Sequence, residues 1–241
     1  MIYKEILIYK DFSNEETGCN GFVTGIMEER IMINNEEKTR LQKQMDFALE
    51  LDKEKFIGRQ TYLTGAVRKE NDAEHAWHMA VMAILLSEYA NEEIDILKTV
   101  TMILLHDVVE IDAGDTYAYD EEGKKTQEER EAAAAKRIYG MLPEDQAEKY
   151  LELWREFEER STPEARFART MDNLQPLMLN NATDGQAWVE RGIDVSQVMK
   201  RNARSGEGSQ TLWEYSRDNL IFPNVRKGRL TDKEGIVAEQ K

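Results

Sequence analysis

The 241 residues contain one cysteine, Cys19, and only three histidines and four prolines. A single cysteine excludes an intrachain disulfide and fits a reducing compartment, so a cytoplasmic protein is expected. Four prolines and 14 glycines are few for a chain of many short strands and turns. No apolar run reaches the length of a membrane span. The opening stretch Met1 to Tyr9 is short, and Lys4 and Glu5 interrupt it, so it does not read as a signal peptide. Positive charge is scarce as well, with 32 Lys and Arg against 47 Asp and Glu and a net charge of −15. That argues against binding to nucleic acid polymers, where affinity comes mainly from neutralising phosphates, and against anionic membrane surfaces. A small phosphorylated ligand stays possible, because one metal and one or two arginines reverse the field locally.

Helical signals dominate what is present. Residues 1–33 are turn-like and show no helical period, so they read as an N-terminal extension, either poorly ordered or a short hairpin. The segment 36–57 places Leu41, Met45, Ala48, Leu49 and Phe56 near helical spacing. Gly58 ends it, and 58–71 reads as a loop. Asn71 and Glu74 form a capping pair for a helix over 72–90. The stretch 92–110 is apolar nearly all round, which predicts a helix at the centre of a bundle. Further helices are expected over 124–140 and 144–160. Another starts at the Ser161-Thr162-Pro163-Glu164 signal and runs to about 181. Helices over 185–203 and 209–221 follow, then a charged, frayed tail. No strand alternation is convincing. The expected architecture is all-α: an extension over 1–33, one helical domain over 34–223 and a tail over 224–241.

Within this pattern His106-Asp107 is anomalous, because it lies in the apolar run Ile103 to Val109. Burying a carboxylate costs several kcal/mol unless it is paired or coordinated. Two readings meet that cost: a hydrogen-bonded pair at a helix end, or a metal site, since imidazole with carboxylate is a common set of ligands for divalent ions. Asp172 lies on or beside the buried stripe of its helix, between Ala168, Met171, Gln175 and Leu179. His75 and His78 stand three apart on one helix, and His78 reads as packing or support. Glu110 follows His106 by four residues and so shares its helix face. Asp115 follows Gly114 in a turn. Both acids are candidates for orienting water and moving protons, against the simpler reading of surface acids.

The pattern His75, His106-Asp107, Asp172 resembles the H…HD…D signature of HD-domain metal-dependent phosphohydrolases. Arg68-x-Glu70-Asn71-x-x-Glu74-His75 and His106-Asp107-x-x-Glu110-x-x-x-Gly114-Asp115 resemble motifs of the bacterial 5′-deoxynucleotidase group. Leu142-Pro143-Glu144-Asp145 and the stretch 152–158 look like the eukaryotic HD-domain-containing protein 2 group. The similarity runs from about 40 to 182. It implies an all-helical HD domain, commonly a homodimer, that hydrolyses (deoxy)nucleoside 5′-monophosphates to nucleoside and phosphate.

The resemblance further implies His75, His106, Asp107 and Asp172 as metal ligands and Glu110 and Asp115 as catalytic acids. Arg59 would hold phosphate, helped by Arg68. Tyr62 stands where the family often has a tryptophan contacting the sugar. The implied cofactor is one divalent ion, Co²⁺ or Mn²⁺ first, with Mg²⁺, Zn²⁺ or Fe²⁺ as alternatives. Two-metal members use extra histidines downstream, and none follows His106 here, which favours a single ion. The competing readings are a hydrolase of another nucleotide (a triphosphate, cyclic nucleotide or alarmone) and a noncatalytic metal-stabilised helical module.

Overall fold

The computed structural model describes residues 38–237. The expected N-terminal extension, residues 1–33, lies outside them. The unit from Arg40 onward is built mainly of helices. Its helices are α1 (Arg40–Glu50), α2 (Asp72–Leu86), α3 (Ile96–Leu105), α4 (Glu110–Ala113), α5 (Gln127–Tyr139) and α6 (Glu144–Glu159). They continue with α7 (Pro163–Ala182), α8 (Gln186–Arg191), α9 (Val195–Asn202), α10 (Gln210–Tyr215) and α11 (Phe222–Arg226). This is the all-α architecture expected.

Local signals explain where the main helices begin. Asn71 accepts from the Glu74 backbone N–H at 2.9 Å, and its own N–H donates to the Glu74 carboxylate at 3.1 Å, which completes the expected capping box of α2. Asp95 caps α3 by accepting from the Lys98 N–H, so α3 starts four residues later than expected. Thr162 caps α7, with Pro163 in its first turn, where a missing N–H costs nothing.

The centre of the bundle is α7, not the α3 region. Phe167, Ala168 and Met171 are fully buried, and polar Thr170, Asp172, Asn173 and Gln175 are buried beside them. By contrast α3 leaves Leu97 74% and Leu104 44% exposed. The apolar stripe of α1 also faces outward, through Leu41, Met45 and Leu49, while Phe47 and Glu50 turn inward. Periodicity identified these stripes but does not say what covers them.

Three further expectations are corrected. Residues 58–71 are not only a loop: β1 (Gly58–Tyr62) and β2 (Lys69–Asn71) pair antiparallel, with Gly58 opposite Asn71 and Tyr62 opposite Lys69. The strands are too short and polar for alternation to register. Residues 92–110 are not one helix, because α3 gives way to a 3₁₀ turn over His106–Val109 before α4. The His106 ring bonds the Ile103 carbonyl at 2.6 Å and the Tyr139 hydroxyl donates to the Leu105 carbonyl at 2.7 Å. Those side chains engage carbonyls that a continuous α-helix would use itself. Finally, the segment after Pro223 is not frayed through residue 237. Leu230 and Val237 join the core, and Thr231 exchanges backbone bonds with Ile193 and Val195 at 3.2 and 2.8 Å.

Candidate metal centre

The 3₁₀ turn carries His106 and Asp107 between two apolar clusters. One is formed largely by α2, α3 and α7, and the other by Val108, Val109, α5 and Trp154. Facing the turn, α2 presents His75 and α7 presents Asp172. Ligand atoms of His75, His106 and Asp172 lie within 4.8 Å of one another, and all three residues are buried. The His75 Nε2 is 3.3 Å from Asp172 Oδ1 and 3.9 Å from Asp107 Oδ2. The His106 Nε2 is 3.0 Å from Asp107 Oδ2. The four residues named together by the sequence pattern therefore meet at one place.

Both imidazoles are set up in the same way. The Nδ1 of His75 donates to Gln175 Oε1 at 2.9 Å, and the Nδ1 of His106 donates to the Ile103 carbonyl. Each ring then turns its Nε2 toward the shared space. The His106 Nε2 is buried, and the polar atom it faces is Asp107 Oδ2 at 3.0 Å. Two imidazole nitrogens and two carboxylates facing one buried space suit a divalent ion, which would displace the proton that His106 carries without it. The cluster can hold a metal.

Support for His75 runs deeper. Gln175 is fully buried, and its amide donates to Glu70 Oε2 at 2.7 Å and approaches the His78 Nδ1 at 3.3 Å. His78 thus reaches the glutamine that holds His75 and lies outside the ligand cluster.

The acids divide by environment. Burial, then the charges of Asp107 and Asp72, push Glu110 well above its ordinary value, and its Oε2 is buried without a partner. Burial also raises Asp115, with Arg59 opposing it. Asp72 is pushed up to about 7, first by burial and then by Asp107. For Asp107, burial works toward protonation, but His106 and Arg59 outweigh it and hold it in the charged form. Asp172 is likewise held low against its burial, by His75, Arg201 and Arg169. Burial pulls the His106 imidazole down, yet Asp107 beside it overcomes this and carries it up to about 9 in the metal-free molecule. His75 goes the other way, to about 4, because burial and the Arg59 charge dominate.

The cluster opens on a cavity lined by Arg59, Glu110, Asp115, Tyr119, Trp188 and Arg201, among others. Arg59 reaches it from β1, with its Nη1 bound to Asp107 at 2.9 Å and to Asp72 at 3.1 Å. Tyr62 and Arg68 do not line it. Tyr62 donates to Glu190, and exposed Arg68 is clasped by Glu74, the capping partner of Asn71.

Sequence reasoning missed Asp72, Gln175, Arg169 and Arg201. Gln175 and Arg169 stand three residues either side of Asp172, so helical spacing could have flagged both. Asp72 looks like an ordinary first-turn acid, and nothing in the sequence marks its complete burial.

A helical bundle with two pre-oriented imidazoles and two carboxylates at its core defines a class of metal-centred proteins. Residues 51–213 match the HD domain family, and the chain belongs to that family. A solved structure from Magnetospirillum magnetotacticum, described as a predicted metal-dependent phosphohydrolase, is 50% identical with a TM-score of 0.76. The match covers 79% of this chain and 95% of that one. The 5′-deoxynucleotidase HDDC2 of Homo sapiens is 32% identical over 111 residues, covering 46% of this chain and 53% of that protein. The mouse HDDC2 (Mus musculus) is 31% identical over 111 residues, covering 46% and 54%. The chain spans about half the length of the curated relatives it matches.

Proposed function

We propose that this protein is a metal-dependent phosphomonoesterase that converts (deoxy)nucleoside 5′-monophosphates to nucleoside and phosphate. The observation that carries this is the meeting of His75, His106 and Asp172 at a cavity that also presents Glu110 and Asp115. Similarity to 5′-deoxynucleotidases points to the same substrates. The ligands in this reading are His75, His106, Asp107 and Asp172, and the ion is Co²⁺ or Mn²⁺.

Once bound, a divalent ion supplies Lewis acidity and an acidified water. The protein does the rest. Gln175 and the Ile103 carbonyl fix the tautomers of His75 and His106. Glu110, partnerless at Oε2, orients the attacking water and would take its proton once the charge of a bound ion keeps the carboxylate ionised. Asp115, raised by burial, protonates the leaving 5′-oxygen or holds the sugar hydroxyl. Arg59 adds positive charge at the cavity wall, where the transition state spreads negative charge over phosphoryl oxygens.

The working form in this proposal is a cytoplasmic homodimer, with a helical domain over 34–223 as its catalytic unit. The outer face of α2 supports the dimer: Trp77, Val81, Ile84 and Leu85 recur at helical spacing and are 65%, 46%, 60% and 70% exposed. Among the described residues no helix is long and apolar enough to cross a membrane.

The test is a panel of nucleoside 5′-monophosphates, with released phosphate measured with and without Co²⁺ or Mn²⁺. Metal-dependent release from at least one is expected. Release from none overturns the proposal.

A further inference from the structure

Arginines enter the cavity from two sides. On one wall Asp72, Asp107 and Glu110 surround Arg59, whose Nη1 is shared between two carboxylates. On the other, Arg169 and Arg201 both approach Asp172 Oδ2, each at 3.4 Å. Both line the cavity.

The two arginines differ in freedom. Arg169 is fixed: its guanidinium stacks 3.9 Å from the Phe157 ring centroid, its Nε donates to the Phe157 carbonyl, and its Nη2 meets Glu158 at 2.5 Å. Arg201 makes no other hydrogen bond or ion pair among the described residues, and its side chain is 36% exposed. A guanidinium carries five N–H donors in a planar fork that fits phosphate oxygens two at a time. Most of the Arg201 donors are therefore uncommitted.

Arg201 helps hold Asp172 in its charged form, but that single contact leaves the rest of its guanidinium unengaged. Asp172 already meets His75 and Arg169, and an ion pair at 3.4 Å with a partly exposed partner contributes little. Further arginines gather here in a chain of net charge −15. Arg160, half-buried nearby, is held below the ordinary arginine value by its burial and by Arg169, Arg204 and Arg201, with Asp172 opposing them.

We propose that Arg201, backed by Arg169, is a phosphate-binding cradle that seats the substrate's phosphoryl group against the His75, His106 and Asp172 cluster. Asp172 joins the two halves, with Oδ1 toward His75 and Oδ2 toward the arginines. This deepens the phosphomonoesterase proposal and rests on it for the identity of the anion. Arg201 binds substrate directly, and Arg169 positions the site by holding Asp172 and the local field.

The experiment titrates orthophosphate into Mn²⁺-loaded protein by calorimetry and measures steady-state hydrolysis alongside. Losing a charge-assisted hydrogen bond weakens binding about tenfold or more. Arg201→Gln should raise the phosphate Kd and the KM by that factor, with metal stoichiometry unchanged. Arg201→Lys, a point charge without the fork, should fall between. Unchanged phosphate affinity in both variants overturns the cradle. So does loss of metal from Arg201→Gln, which would leave Arg201 serving only Asp172, and so does wild-type protein that binds no phosphate. The two proposals fail separately. Arg201-dependent phosphate binding in a protein that hydrolyses no monophosphate keeps the cradle and rejects the esterase. Hydrolysis with KM and phosphate affinity indifferent to Arg201 rejects the cradle alone.

Discussion

Gln175 gives the sharpest test of how the centre is built. It is fully buried, accepts from His75 Nδ1 at 2.9 Å and donates to Glu70 Oε2 at 2.7 Å. Replacing it by leucine keeps much of the volume and removes both bonds. The His75 ring is then free to carry its proton on either nitrogen, and half of those states point an N–H at the ion. Loss of a supporting partner behind a ligand histidine weakens metal binding about 10- to 100-fold, or roughly 1.4 to 2.7 kcal/mol. The same change leaves Glu70 with less compensation. Its Oε1 already lacks a hydrogen-bond partner, and stranding Oε2 costs on the order of 1–3 kcal/mol of stability. Two assays separate the effects. Urea unfolding of metal-free protein reads the stability loss, and calorimetric titration of Mn²⁺ into folded protein reads the affinity. A folded Gln175→Leu protein that binds Mn²⁺ as tightly as wild type would refute the claim that Gln175 sets the His75 tautomer.

Other residues give simpler outcomes. Asp107→Ala should abolish both bound metal and turnover, measured by elemental analysis and phosphate release; full metal content in that variant removes Asp107 from the ligand set. Gly208 packs so closely on the Arg166 carbonyl of α7 that an added Cβ would overlap it. Gly208→Ala should therefore cost about 1–3 kcal/mol in chemical unfolding, and a neutral result would show that the contact relaxes freely. Asp194 is held at about 2, against its burial, by bonds from Ser196, Thr231 and the Lys233 N–H. Because the folded value lies below the unfolded one, its contribution is present above about pH 4 and lost as pH falls toward 2. Asp194→Asn should flatten that part of the stability curve. Trp77→Glu with Leu85→Glu should convert a dimer to monomer by light scattering, while a monomeric wild type rejects the proposed dimer.

The sequence alone determined a good deal. Capping residues at Asn71 and Thr162, with few glycines and prolines, made the helices and two of their starts legible, because those signals act within one turn. His106-Asp107 stood out because a carboxylate in an apolar run requires compensation. Asp172 joined them through family resemblance, since helical spacing puts it on the buried stripe without naming a partner. Tertiary structure decided the rest. Which apolar stripe is buried depends on what packs over it, so α7 became the central helix while α1 and α3 kept exposed faces. The break of α3 at His106 depends on Tyr139, which lies 33 residues away in a different helix. Arg59 and Asp72 meet Asp107 only through the β-hairpin, and Arg201 reaches Asp172 only because α9 folds back on α7. Those contacts join residues far apart in the chain, where no local pattern constrains them.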